Sequence, residues 1–140
     1  MAAIGSFREL EVYRRAREEA KRMFELSRRF PPEEKYSLTD QVRRSSRAVG
    51  AMTAEAWARR RYRAAFVSKL VEAMGEAMET QAWLDGALDW YISRDEFRDR
   101  DEQWRQVGAM LAGMIEKADA FCRTSRAASH TMSDHSSSSK

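Results

Sequence analysis

The residue types best suited to chemistry at neutral pH are scarce in this chain and poorly placed for it. Both histidines, His130 and His135, fall within the last eleven residues, so the body of the chain offers no imidazole for acid–base or metal work. A carboxylate-bridged di-iron bundle needs Glu-x-x-His pairs on two helices, and Ser–His and Cys–His nucleophiles need the same ring, so these classes are excluded. The single cysteine, Cys122, rules out an internal disulfide and a multi-cysteine metal site. It reads as a small apolar filler near the end of the last helix rather than a reactive thiol. Glu72, Glu76 and Glu79 share a helix face at spacings of 4 and 3, which suits a cation. With Lys69 beside them and no fourth ligand, a solvated or interface face is the expected role. No metal, no cofactor and no catalytic residue are expected.

Arginine is the residue type that remains. Arg123 and His130 match the loose Arg-x(4–6)-His spacing that helical ribonucleases use on phosphodiesters, but they fall where periodicity has ended and serines dominate. A catalytic pair must be held rigidly, so the match is set aside. The arginines of the body are better placed. Residues 35–69 carry nine basic against two acidic residues, a net +7, and residues 70–104 carry ten acidic against three basic, a net −7. The overall +3 therefore hides a sharp segregation. Arg43, Arg44, Arg47, Arg59, Arg60, Arg61 and Arg63 form a candidate nucleic-acid surface, because the planar guanidinium grips phosphate oxygens in pairs. The competing reading makes the same residues solvated faces, or partners of acids on a neighbouring helix or subunit. Trp57, Tyr62 and Phe66 lie near these arginines and offer rings for base stacking, but Trp57 and Phe66 also fit helical seams, and core packing is the expected role for both.

Four helices must position these groups. Ser6 with Glu9 is a capping-box pattern that opens the first helix, with Leu10, Tyr13, Ala16, Ala20, Met23 and Phe24 along one side. It is expected to stop near Phe30, before Pro31 and Pro32, with a short turn over Glu33 and Glu34. The second helix is expected to start at Ser37 with Asp40, on the seam Leu38, Val42, Ser45, Val49, Met52 and Ala56. Mid-helix Gly50 predicts a kink or a close approach. Arg43, Arg44 and Arg47 lie outside this seam in helical projection and are free to face solvent or a partner. The third helix is expected from about Tyr62 to Ile92, on Phe66, Leu70, Ala73, Ala77, Thr80, Leu84, Ala87 and Tyr91. A second stripe of Val67, Val71, Met74, Met78, Gln81 and Leu88, widened by Trp83 and Trp90, exceeds the arc one bundle needs. Trp83 and Trp90 are accordingly candidate oligomer-interface residues. Ser93 with Asp95 and Glu96 opens the fourth helix, carrying Phe97, Trp104, Val107, Leu111, Met114 or Ile115, Ala118 and Phe121.

These elements make an all-α, up-down-up-down four-helix bundle over residues 6–122, followed by a Ser-rich disordered tail over 123–140. The 140 residues suffice for one domain; 43% are hydrophobic and 34% charged, and two prolines with six glycines are too few turn-formers for a many-stranded β fold. No apolar run is long enough to span a membrane or serve as a secretory signal, so a cytoplasmic location is expected.

Several separated features, in order, resemble a known family. They are Phe7, Leu10, Val12 and Tyr13; Phe30-Pro31; Glu34 with Leu38; Gln41; Arg43-Arg44; Ala54-Glu55; Gly75 with Glu79; Tyr91-Ile92; and Met110-Leu111 with Gly113. Over roughly residues 6–122 the chain resembles the bacterial four helix bundle protein family, whose founding members are encoded in intervening sequences of 23S ribosomal RNA genes. It departs from that family at Ala48-Val49-Gly50, where a Ser-Ile-Pro turn is usual, and at Met52–Ala56, where Asn-Ile-Ala-Glu-Gly is usual. The resemblance implies a left-handed bundle assembled as a barrel-like homopentamer. It is also similar in fold to the accessory variability determinant of diversity-generating retroelements, a basic partner of a reverse transcriptase. The expectation is a non-enzymatic, ring-forming accessory or scaffold protein that binds RNA or DNA in a salt-sensitive way, with a reverse transcriptase as partner if the setting is a retroelement. The alternative is a pure assembly module whose arginines pair between subunits.

Overall fold

The computed structural model describes residues 4–122. Helices α1 (Glu11–Ser27), α2 (Asp40–Ala58), α3 (Arg63–Trp90) and α4 (Arg94–Glu116) run alternately up and down, and residues 118–122 are helical again after a break at Lys117. Contacts between sequential neighbours and between α1 and α4 close the four into a bundle. The seam predicted for α3 is buried throughout, from Phe66 to Ala87. Opposite it lie Val42, Val49 and Ala56 of α2, Ala16 and Met23 of α1, and Trp104, Val107 and Leu111 of α4. At about 25 cal/mol per Å² of apolar surface, this burial is the main term holding the fold.

The element ends differ from the sequence expectation in instructive ways. Ser6 does not cap an α-helix. Its hydroxyl accepts from the Arg8 N–H at the start of a 3-10 turn, Phe7–Glu9, and Glu9 takes the N–H of Gly5, so α1 begins only at Glu11. It ends at Ser27, three residues before Phe30, through turns closed by single i→i+3 bonds. Pro32–Glu34 form the expected short turn. Ser37 does not cap α2 either; its hydroxyl donates to Glu34 at 2.7 Å, and a π-helical turn, Lys35–Thr39, leads directly into Asp40. At Ser93 the capping box forms as expected, with its hydroxyl accepting from the Glu96 N–H and the Glu96 carboxylate accepting from the Ser93 N–H.

The α2 helix runs unbroken through Val49-Gly50. The Tyr13 ring lies over Gly50, but a Cβ there would sit 3.6 Å from it, an ordinary contact, so packing does not require the glycine. Buried hydroxyls line the α2–α3 seam: Ser45 and Thr80 are fully buried and hydrogen-bonded to each other at 2.8 Å. By contrast, the α1–α4 seam carries polar pairs. Arg15 donates to Gln103 and Gln106, Arg100 pairs with buried Glu19 at 2.5 Å, and Arg29 pairs with Glu96 at 2.5 Å.

Candidate nucleic-acid interface

Arg43 and Arg44 are consecutive on α2, and 100° of helical rotation turns them toward different neighbouring helices. Arg44 reaches α3, where it binds Glu76 at 3.1 Å and Glu79 at 2.5 Å. The Glu79 carboxylate also accepts from the Trp83 indole N–H at 3.0 Å. The Arg44 pKa is raised by its bonds to Glu79 and Glu76, and the Glu79 carboxyl is held below its ordinary value chiefly by Arg44. Two of the three glutamates whose spacing suited a cation are thus occupied by an arginine, and the third, Glu72, lies 3.2 Å from Lys69.

Arg43 turns toward α1. Its Nε donates to the Ser27 hydroxyl at 2.7 Å, and that hydroxyl donates to the Phe24 carbonyl at 2.7 Å. The guanidinium carbon of Arg43 stands 4.1 Å from the Phe24 ring centroid, with those of Arg28 at 5.2 Å and Arg47 at 5.3 Å. Phe24 is half-buried yet is not packed against the buried core. Its ring is a platform for three cations, one of which, Arg28, has a carboxylate near it, Glu25 at 3.5 Å. Among the described residues neither Arg43 nor Arg47 has an ion pair, although a cation over a ring is attracted by only about 0.5–1 kcal/mol where solvent reaches it. An open groove of about 860 Å³ runs from Phe24 and Arg47 past Lys21 to Arg17, and across α1 to Arg29 and Arg100. Arg17 also has no ion pair among the described residues, and Arg14 donates to the backbone carbonyl of Arg8.

The remaining candidates divide in the same way. Arg63 pairs with Asp119 of the last helical turn at 2.6 Å. Arg60 lies on the Trp57 ring at 3.5 Å, its Nη1 buried with no hydrogen-bond partner among the described residues, and burial pulls its pKa below the ordinary value. Arg59 and Arg61 are exposed and carry no ion pair among the described residues. Phe66 is core, as expected, and Trp57 is half-buried. The seven arginines therefore do not share one surface. Sequence reasoning placed Phe24 on the packed side of α1 and missed its role; the Phe24–Arg28 spacing of four was a signal for it.

Trp83 is half-buried, whereas Trp90 is 79% exposed. Between them and the start of α3 runs an outward stripe of Ala64, Val71, Gly75, Met78 and Ala82, all exposed and all uncharged. Val71 is 53% and Met78 63% exposed. Among the described residues no cluster of histidine, cysteine or acidic side chains could hold a metal, and no helix is long and apolar enough to cross a membrane. Arg123, His130, His135 and the rest of the predicted tail lie outside the described residues.

This architecture defines an all-α four-helix bundle with a cationic α1–α2 edge. The family described as 23S rRNA-intervening sequence protein matches over residues 8–113, and the chain belongs to it. Among solved structures, the chain is similar to a protein of unknown function from the S23 ribosomal protein family of Bacteroides thetaiotaomicron VPI-5482. The two share 29% identity with a TM-score of 0.68, over 75% of this chain and 95% of that one. No curated protein matches the chain.

Proposed function

We propose that this chain is a non-enzymatic scaffold that assembles with copies of itself, as a ring of five, and binds RNA or DNA along its α1–α2 edge in the cytoplasm. The observation that carries the binding half is that Arg17 and Arg47 line one groove and Arg43 shares the Phe24 ring with Arg47, none of the three in an ion pair among the described residues. Uncompensated guanidinium groups beside exposed ring surface suit a phosphate backbone with unstacked bases. Arg44 and Arg63 are already neutralised within the chain and are left out of the binding surface, while Arg59 and Arg61 extend it at the far end of α2.

The assembly half is supported by the uncharged stripe of α3, about 27 Å long from Ala64 to Ala82 at 1.5 Å per residue. Continuous apolar surface of this kind marks interfaces between proteins. Repeating the cationic edge around a ring raises avidity for a polyanion even when one copy binds weakly.

The test is retention of single-stranded RNA and DNA at low and at moderate salt, with sedimentation under the same conditions. Affinity is expected to fall with a log–log slope of about −0.7 per phosphate contact, with little sequence preference. A chain that sediments as a monomer at micromolar concentration overturns the ring. One that retains no nucleic acid at low salt makes the arginines structural and the protein an assembly module.

A further inference from the structure

The three arginines around Phe24 ask for a more particular ligand than a polyanion track. One donor is fixed: the Ser27 hydroxyl, in a residue 1% exposed, holds Arg43 through Nε, which leaves both terminal nitrogens of that guanidinium without a hydrogen bond among the described residues. Among the described residues Arg47 makes no hydrogen bond, so all five of its N–H donors are unspent there. Arg28 is set against the same ring from α1. The local charge is three cations against one carboxylate, Glu25 at 3.5 Å from Arg28, which leaves +2. Of the other acids that line the groove, Glu18 is engaged by Lys21 and Arg22 and Glu96 by Arg29, while Asp99 lines it from α4.

We propose that Arg28, Arg43 and Arg47, seated on Phe24, form a binding site for a phosphate monoester dianion. The excess of two positive charges matches a monoester, which carries close to two negative charges at neutral pH and three terminal oxygens. A backbone diester brings one charge and two such oxygens. Planar forks from two helices suit paired bonds to those oxygens. The groove that continues toward Lys21 and Arg17 leaves room for whatever the phosphate is attached to. Free phosphate and the 5′-phosphorylated end of an RNA share this chemistry. The site lies within the surface assigned above to nucleic acid, and in the RNA form it rests on that reading.

The experiment uses the full chain. Titration calorimetry with inorganic phosphate and with a nucleoside 5′-monophosphate addresses the free ligand. Fluorescence anisotropy with one short RNA, bearing either a 5′-phosphate or a 5′-hydroxyl, addresses the end of a strand. The phosphorylated RNA is expected to bind about tenfold tighter, an advantage that shrinks as pH falls below the second phosphate pKa of about 6. Arg47→Gln alters an exposed residue whose contact is with one ring and leaves the fold intact; it is expected to remove most of the advantage, and Arg43→Gln with Arg47→Gln all of it. Arg44→Gln should preserve it. Binding of inorganic phosphate that both variants weaken, with no binding of either RNA, upholds the site and overturns the nucleic-acid reading. Equal affinity for the two RNAs overturns the site and leaves that reading standing, as does a 5′-phosphate advantage that survives the double substitution. No binding of any of these probes overturns both.

Discussion

The two sides of α2 treat the same residue type in opposite ways. Toward α3, Arg44 finds Glu76 and Glu79, beside the uncharged stripe of that helix. Toward α1, Arg43 and Arg47 find a phenyl ring and a hydroxyl. One side is electrostatically finished within the chain and the other is not. An arginine count therefore says little about anion binding; what matters is which arginines the fold has already neutralised.

The largest expected effect tests the finished side. Met78→Glu places a charge in the middle of the α3 stripe, and burying an unpaired carboxylate in an interface costs several kcal/mol. Sedimentation should shift to the monomer, with helical circular dichroism unchanged. An oligomer that persists moves the contact away from α3.

The next effect falls on the unfinished side. Arg43→Gln with Arg47→Gln should weaken low-salt binding of a 5′-hydroxyl RNA by about tenfold and reduce the salt slope by about 1.4, two phosphate contacts' worth. Arg44→Gln should change affinity less than about twofold, and should instead lower stability by about 0.5–1 kcal/mol, the value of a solvent-accessible pair. If Arg44→Gln weakens binding as much as the double change, the contrast between the two sides is broken.

Acid sharpens the comparison, because paired cations depend on ionised carboxylates and unpaired ones do not. Hydrogen bonds from Arg29 and from the Ser93 N–H hold Glu96 at about 2, against an ordinary 4.5. A carboxyl depressed in the folded state stabilises fully above its unfolded value, and that contribution is lost as pH falls from about 4.5 to about 2. Thermal melts across this range should show stability falling, and Arg29→Gln should flatten the decline.

The smallest effect concerns the helix that separates the two sides. Gly50→Ala adds a Cβ at ordinary contact distance from Tyr13 and removes the cost of a mid-helix glycine. Stability should rise by about 0.5–1 kcal/mol, with RNA affinity unchanged.

Periodicity made the helices and their buried seams readable, because apolar residues three and four apart can all be buried only in a helix. The ends of α1 and α2 were less readable. Ser6 and Ser37 have capping character, but their hydroxyls serve a 3-10 turn and the Glu34 carboxylate, and neither a 3-10 nor a π-helical turn has a composition of its own. The candidate surface was readable as charge but not as geometry. Arg44 and Arg63 meet their acids 32 and 56 residues away in sequence, so their neutralisation depends on tertiary register. Phe24 misled for the opposite reason: an aromatic at helical spacing looks like core until the neighbouring helix is found to bring cations to it.

The four tryptophans, finally, sit in four different optical environments. Trp104 is fully buried and its indole N–H has no partner among the described residues, so it should emit at the blue end of the indole range and shift red when the bundle opens. Trp57 lies under a guanidinium, Trp83 donates to a carboxylate, and Trp90 faces solvent. Single-tryptophan variants would turn these into separate reporters. Trp104 would follow unfolding, Trp90 would follow whatever covers the end of α3, and Trp57 would register any anion that draws Arg60 off its ring.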